Sequence, residues 1–185
     1  MDSRIVARAQ GGDESAFAIL TEQLVGRFQR VAFAILRDPD LAADATQAGL
    51  VRIWQKLPRL REPARFEPWA HKLLVHACYA EAKRARRSDV IAAAVTEPSV
   101  QDGVDIIVRR DQLDRGLARL TLEQRAVIVL RIYLDLPVEE VAEALDVPVG
   151  TVKSRLHRAV SALRASLEAD ARSPVRTRAP MEVTR

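Results

Sequence analysis

Apolar and polar positions alternate along the first part of the chain with the period of amphipathic helices. Residues 28–36 carry apolar side chains at every third or fourth position, which predicts a helix that ends before the next proline. A second helix is predicted at about 41–57. After a loop with three prolines, a third helix is predicted from Phe66 or Trp69 to the basic residues 83–87. Together these helices would form one module.

The helical pattern weakens in the middle of the chain and then returns. Residues 91–112 include a stretch rich in Pro, Ser, Asp and Gly, which predicts a flexible linker. Thr121 and Gln124 match a capping box, in which two side chains satisfy the free N–H groups of a helix start. A short helix at about 138–145 and a further helix over 147–160 should follow.

The composition supports an all-α protein. Aromatic residues make up only 4% of the chain, whereas Ala, Leu, Arg and Glu, which favour helices, are abundant. We therefore predict two small helical domains, residues 1–90 and 113–171, joined by the flexible linker at 91–112. The last residues, 172–185, have the composition of a basic disordered tail.

The position of the charges along the chain is more informative than the net charge. The chain has a net charge of +4 and a pI near 9.7, but residues 121–171 carry more acidic than basic side chains. The acidic ones crowd the turn and helix before 147, and no acidic residue occurs from 147 to 167. One helix of an acidic domain is therefore left positive.

The positive helix has two distinct faces. At about 100° per residue, four apolar side chains share one arc that should face the core: Val152, Leu156, Ala159 and Leu163. The opposite side is small, basic and rich in hydrogen-bonding groups, and it carries Gly150, Thr151, Lys153, Ser154, His157 and Arg158. A tight turn between two such helices is the layout of a helix-turn-helix, whose second helix enters the DNA major groove. DNA reading is favoured over a merely solvated basic face.

Other chemistries find little support in the sequence. His71, His76 and His157 lack the spacing of a zinc site, and there is no glycine-rich phosphate loop, so no enzyme, metal or cofactor is expected. Cys78 is the only cysteine, which excludes an intrachain disulfide. No apolar run approaches the ~20 residues of a membrane span. We expect a soluble cytoplasmic protein without membrane insertion.

Three segments resemble a known family. Residues 120–167, above all VPVGTVKSRLHRA within them, resemble region 4 of the extracytoplasmic-function (ECF) sigma factors, the small members of the sigma-70 family. LAADATQAGLVRIWQKL, residues 41–57, resembles region 2.2, and FEPWAHKLLVHACYAEAKRARR, residues 66–87, resembles regions 2.3 and 2.4. The resemblance implies an RNA polymerase specificity subunit, whose first domain opens the −10 promoter element and whose second reads the −35 element.

The resemblance also implies three sets of binding residues. Those expected to contact the −35 element are Gly150, Thr151, Lys153, Ser154, Arg155, His157 and Arg158. Those expected to contact the −10 element are Phe66, Trp69, Lys72, His76, Lys83, Arg84, Arg86 and Arg87. Those expected to bind core polymerase are Asp44, Gln47 and Arg52. Of the aromatics, Trp69 is favoured as a core residue over a base-stacking one.

The implied partners are core RNA polymerase, through its β′ clamp helices and β flap, promoter DNA, and a possible anti-sigma protein. The sequence departs from the family at Ala48 and Gly49, where Glu and a bulkier residue are usual, and at His76, where Asn is common. The first two departures bear on polymerase binding and the third on −10 preference.

Three alternatives remain open at the level of sequence. LTLEQRAV also resembles the start of a LuxR-like domain, so an autonomous helix-turn-helix regulator would fit if a sensor or receiver module preceded it. An enzyme would need a catalytic or metal constellation that the residues do not supply. A pure interaction protein would bind polymerase without reading DNA, which the bases at 153–158 disfavour.

Overall fold

The computed structural model of the chain describes residues 1–92, here the first region, and 114–172, here the second region. Within these ranges all regular structure is helical, as predicted. The predicted linker and tail, residues 91–112 and 172–185, lie almost wholly outside the described residues.

Four α-helices form the first region: α1 (Ser3–Gln10), α2 (Glu14–Leu36), α3 (Pro39–Lys56) and α4 (Phe66–Ala92). An aspartate begins each of the first three, because Asp2, Asp13 and Asp38 accept a hydrogen bond from a backbone N–H of the first turn. Such caps satisfy N–H groups that a helix start leaves unpaired. Two single 3₁₀ turns, Leu57–Arg59 and Pro63–Arg65, lead from α3 to α4.

The predicted end of the third helix at residues 83–87 is wrong. Helix α4 continues through Ala92. No glycine or proline occurs between the basic cluster and Pro98, so the sequence contains no residue that would stop the helix at 87.

The second region starts with a helical segment at 114–118 and contains three further helices: α5 (Leu122–Ile128), which continues as a π-helical turn (Val129–Tyr133), α6 (Val138–Leu145) and α7 (Val149–Arg172). The capping box of Thr121 and Gln124 is confirmed in both of its hydrogen bonds. Asp146 ends α6 in the left-handed conformation, with φ of 58°, which Asp tolerates better than most non-glycine residues.

The two regions pack against one another. Helix α6 lies against α4, and α5 lies against α2. A single cluster of buried apolar side chains extends through both, from Leu20, Phe28 and Leu74 in the first region to Leu130 and Val141 in the second. Apolar burial of this kind is the main force that holds helices together in water.

Candidate nucleic-acid interface

A tight turn joins α6 to α7. After Asp146, the Val147 N–H donates to the Ala142 carbonyl at 3.1 Å, which closes the end of α6. The Pro148 carbonyl then accepts a hydrogen bond from the Thr151 N–H at 2.9 Å, which opens α7. The pair has the helix-turn-helix connection that the sequence predicts.

The apolar arc of α7 faces inward as predicted. Val152 and Ala159 are fully buried, whereas Leu156 and Leu163 are half-buried. On the other side, four of the predicted −35 residues are exposed: Gly150, Lys153, His157 and Arg158. The remaining three are half-buried: Thr151, Ser154 and Arg155.

One of the half-buried residues is hydrogen-bonded inside the chain, and another lies near the first region. The Ser154 hydroxyl donates to the Thr151 carbonyl at 3.0 Å, which leaves the Ser154 oxygen free to accept. Arg155 lies near the first region. Burial and then the Glu123 carboxylate raise the pKa of Tyr79 to about 12, and the Arg155 charge opposes them. Arg155 is thus close to α4, apart from the exposed group on α7.

Gly150 is exposed to solvent. Apart from its chain neighbours and the backbone of its own helix, no described atom lies within 4 Å of a Cβ added there. The glycine is therefore not required by internal packing, and its backbone is available for close approach by a partner.

The aromatic pair at the start of α4 is split between core and surface. Phe66 is buried, and its ring lies 5.9 Å from that of Trp69, centroid to centroid. Trp69 is half-buried and lines a small cavity of about 140 Å³ together with Arg65 and Glu143. Of the two, only Trp69 has a ring surface outside the core.

The middle of α4 faces the second region. The Lys72 ammonium lies 3.5 Å from an Asp146 carboxylate oxygen, and Arg65, just before α4, lies 3.0 Å from Glu143. His76 is half-buried, and burial followed by the Lys72 charge lowers its pKa. Two of the predicted −10 residues, Lys72 and His76, are therefore beside the end of α6.

The basic end of α4 divides into two groups. Lys83, Arg86 and Arg87 line an open groove of about 830 Å³, which Tyr79 and Glu123 also line. Arg84 instead pairs with acidic side chains on the other side of the helix: Asp44 at 3.0 Å and Glu81 at 2.8 Å. A helix turns by about 100° per residue, so adjacent bases need not share a face.

The predicted polymerase-binding residues come together in a second groove, of about 400 Å³, between α3 and α4. Its lining includes Asp44, Gln47, Ala48, Arg52 and Arg84. The tertiary structure thus places Arg84 with the polymerase set, although the sequence grouped it with the −10 set.

Two exposed apolar side chains extend this surface. They were not among the polymerase-binding residues predicted from the sequence. Val51 is 47% exposed, and Trp54, 43% exposed, packs edge-on against Phe17 with centroids 4.6 Å apart. They follow Gln47 at i+4 and i+7, so helical spacing could have found them. Exposed apolar groups beside polar ones are typical of protein-binding surfaces.

The unusual Gly49 has a packing role. A Cβ at this position would lie 3.4 Å from the Leu74 Cδ1 and 3.5 Å from the Leu74 Cα. These are ordinary van der Waals distances, so alanine would fit at this position, whereas a side chain that extends beyond Cβ would press on α4.

Residues 1–92 and 114–172 were compared with the requirements of a metal-ion cluster and of a membrane-spanning helix. No group of three or more His, Cys, Asp and Glu side chains in these ranges could hold a metal ion. No described helix is both long and apolar enough to cross a membrane.

Comparison with known families gives two matches. Residues 20–88 match Sigma-70 region 2, and residues 110–163 match Sigma-70, region 4. The first match covers most of α2, α3 and α4, and the second covers α5, α6 and the part of α7 that carries the exposed bases.

Individual proteins align over most of the chain. The ECF RNA polymerase sigma factor SigL of Mycobacterium tuberculosis is 30% identical over 168 residues, which cover 88% of this chain and 95% of SigL. The RNA polymerase sigma-E factor of Streptomyces avermitilis is 33% identical over 140 residues, or 75% of this chain and 78% of that protein. The sigma factor RpoE of Bartonella quintana, solved in complex with the anti-sigma factor NepR, has a similar fold, with a TM-score of 0.70 at 22% identity over 83% of this chain and 98% of that one.

Proposed function

The chain belongs to the ECF sigma factors of the sigma-70 family and is an RNA polymerase sigma factor, and from this we propose which of its surfaces bind promoter DNA and polymerase. Helix α7 reads the −35 element, α4 binds the −10 element, and the groove between α3 and α4 binds core polymerase. The alternative of an autonomous regulator expected a sensor or receiver module where residues 20–88 match Sigma-70 region 2.

The observation that carries the −35 proposal is the exposed basic face of α7. Lys153, His157 and Arg158 are exposed on a helix that follows a tight turn, and within the described residues none of them has an ion-pair partner. Arginine and lysine can bind guanine edges or phosphates in the major groove. These three side chains can therefore contact DNA without breaking an ion pair within the described residues.

The polymerase proposal is supported by the mixed character of the α3–α4 groove. Asp44, Gln47 and Arg52 supply polar contacts, and Val51 and Trp54 supply exposed apolar surface next to them. Interfaces of this kind combine an aromatic anchor with a polar rim. We assign the groove to the β′ clamp helices, and a second contact, with the β flap, to the second region.

The remaining assignments follow from the family. We propose functional domains at 1–90 and 113–171, joined by the linker at 91–112 and followed by a basic tail at 172–185. RpoE was solved with an anti-sigma factor, and we propose that an anti-sigma protein also regulates this chain. Because bacterial RNA polymerase works in the cytoplasm, we place the protein there.

Run-off transcription tests the proposal as a whole. Core RNA polymerase from the source organism is combined with the full chain and a fragmented genomic library, and the transcript starts are sequenced. We expect discrete starts that share upstream elements and disappear when the chain is omitted. Specific DNA binding by the chain alone, without chain-dependent starts, would contradict it.

A further inference from the structure

One cation at the basic end of α4 points to the side of the helix that faces α3. The Arg84 Nη2 lies 3.0 Å from a carboxylate oxygen of Asp44 on α3 and 2.8 Å from a carboxylate oxygen of Glu81, three residues earlier on α4. The neighbouring Lys83 and Arg86 line a different groove, the open one of about 830 Å³. Arg84 therefore lies on the surface that we assign to core polymerase, although the sequence places it in a run of DNA-binding bases.

Glu81 fixes the position of Arg84. The Glu81 side chain is only 11% exposed, and its Oε2 atom is buried without an aligned hydrogen bond. A carboxylate that is largely removed from water needs a nearby positive charge, and the Arg84 Nη2 at 2.8 Å supplies it. If Arg84 moved out to a DNA phosphate, this carboxylate would lose that charge. The guanidinium is thus held more firmly than by an exposed pair, which by itself contributes little.

The same guanidinium orients Asp44. Asp44 is exposed and lines the α3–α4 groove of about 400 Å³ together with Gln47 and Arg52. An unpaired aspartate at the surface samples several rotamers, whereas the ion pair favours the one that brings its carboxylate to 3.0 Å from Arg84. A carboxylate has about four lone-pair sites. Asp44 can therefore accept from Arg84 and still accept a hydrogen bond from a partner in the groove.

Lys83, the residue before Arg84, provides the contrast. It is exposed, and within the described part of the chain it forms no ion pair. Lys83 can therefore reach a DNA phosphate without breaking a charged contact, whereas Arg84 would have to leave two carboxylates. Two adjacent bases at the end of one helix thus have different surroundings, because a helix turns by about 100° per residue.

We propose that Arg84 is a positioning residue for core polymerase, which orients the Asp44 carboxylate in the α3–α4 groove and does not contact −10 DNA. The inference rests on the proposed assignment of that groove to polymerase. The group that Asp44 binds on polymerase is a basic side chain or another hydrogen-bond donor, because a carboxylate only accepts. The basic end of α4 is then divided by function, with Lys83 for DNA and Arg84 for polymerase.

The test compares three variants of the full chain that each lose one positive charge. Arg84→Gln removes the charge that holds Asp44, Lys83→Gln removes the adjacent base, and Arg4→Gln is the control, at an exposed position of α1 outside both grooves. Affinity for core RNA polymerase of the source organism is measured by surface plasmon resonance on immobilised core. Promoter use is measured by run-off transcription at a chain concentration that saturates core.

We expect Arg84→Gln to bind core about three- to tenfold more weakly than the Arg4→Gln control, because the Asp44 carboxylate is no longer held in place. Its run-off transcription at saturation should equal that of the control. Lys83→Gln should show the reverse pattern, since it loses a phosphate contact only. Equal affinity of Arg84→Gln and the control for core would overturn the proposal. So would a loss of run-off at saturation as large as that of Lys83→Gln.

A double-mutant cycle separates positioning from a direct contact and from structural damage. If Arg84 acts through Asp44, Arg84→Gln/Asp44→Asn should bind core no more weakly than Asp44→Asn alone. Losses that multiply would show that Arg84 acts independently of Asp44 and would overturn the proposal. Arg84→Lys keeps the charge and should recover part of the affinity. If Arg84→Gln is unstable in thermal unfolding, Arg84→Gln/Glu81→Gln replaces it throughout, because it removes the buried charge as well.

The proposed function of the groove and the role of Arg84 can fail separately. If Asp44→Asn binds core as tightly as the unaltered chain, the assignment of the groove to polymerase is overturned, and the role of Arg84 with it. If Asp44→Asn weakens binding to core and Arg84→Gln does not, the groove remains the polymerase site, and only the role of Arg84 is overturned.

Discussion

Helices α4 and α7 both present basic side chains, but Lys72 in the middle of α4 is paired, whereas the bases on the exposed face of α7 are not. Lys153, His157 and Arg158 are exposed and unpaired within the described residues, whereas Lys72 is paired with an aspartate and only 29% of its side chain is exposed. The difference does not lie in the two helices. It lies in two acids of α6 and its cap, since Glu143 pairs with Arg65, just before α4, and Asp146 pairs with Lys72 of α4.

The comparison shows how one small domain can present acidic side chains to one partner and basic side chains to another. Residues 121–171 are acidic overall, yet their basic helix remains open because most of the acids lie on α6, in the turns beside it and at the start of α5. Charges on the two sides of a small domain can therefore act on different partners, since exposed charges beyond about 10 Å are screened from each other at ordinary salt.

The largest expected effect is the dependence of stability on pH, because the first region buries a histidine in its core. His71 is fully buried in the first region, and burial, followed by the Arg27 charge, lowers its pKa from 6.5 to about 4. Because the unfolded chain binds this proton more readily, the stabilising effect is complete above pH 6.5. On the order of 3 kcal/mol should be lost as the pH falls from 6.5 to 4. His71→Leu should abolish that loss in denaturant titrations.

A buried apolar residue of the same helix provides the control. Leu74→Ala should lower the free energy of unfolding by about 2–5 kcal/mol at every pH and leave the slope between pH 6.5 and 4 unchanged. The second region has no buried titratable side chain among its described residues. An unchanged slope in His71→Leu would show that other groups govern the acid sensitivity.

The next largest effect concerns the open face of α7. Arg158→Ala should weaken binding to a promoter duplex about 10- to 100-fold, because one guanidinium on a base edge contributes ~1–3 kcal/mol. Binding to core polymerase, measured by co-elution, should not change. Arg164→Ala, exposed further along the same helix, is the control and should leave both unchanged. Equal losses of both activities in Arg158→Ala would contradict the assigned face.

A smaller effect is expected where the regions join. Arg125 donates hydrogen bonds to the carbonyls of Ile35 and Leu120. Arg125→Ala should cost about 1–3 kcal/mol in thermal or denaturant unfolding, because two carbonyls lose a charged donor. It should also lengthen the distance between two spin labels, one on each region, measured by electron-spin resonance. Arg131→Ala, which removes only a surface pair with Asp135, should cost less than about 0.5 kcal/mol.

The smallest expected effect on stability is at Gly150, where a substitution tests whether the glycine serves internal packing or DNA binding. Since nothing surrounds this position, Gly150→Ala should leave the fold intact and stabilise α7 by about 0.5–1 kcal/mol. If DNA approaches the backbone there, the same change should weaken −35 binding severalfold. Gly49→Ala, which meets Leu74 in the interior, should instead affect stability and not −35 binding. Full −35 affinity in Gly150→Ala would exclude a close approach.

Much of the fold could be predicted because its signals are local. The capping box of Thr121 and Gln124, the short helix at 138–145 and the left-handed Asp146 each depend on residues within a few positions of one another. The buried arc of α7 follows from a period of 3.6 residues in the same way. The end of α4 could not be predicted, because the sequence carries no stop signal before Pro98.

The sequence by itself determined the all-α class, the bounds of α3 and α6 and the basic face of α7, since hydrogen bonds, caps and side-chain period act over a few residues. Only the tertiary structure decided that Arg84 pairs with Asp44, that Gly49 packs against Leu74, and that Glu143 and Asp146 pair with Arg65 and Lys72. These partners are 25 to 78 positions apart. Which of several equally charged surfaces meet across such distances depends on how the helices pack, and no local pattern specifies that.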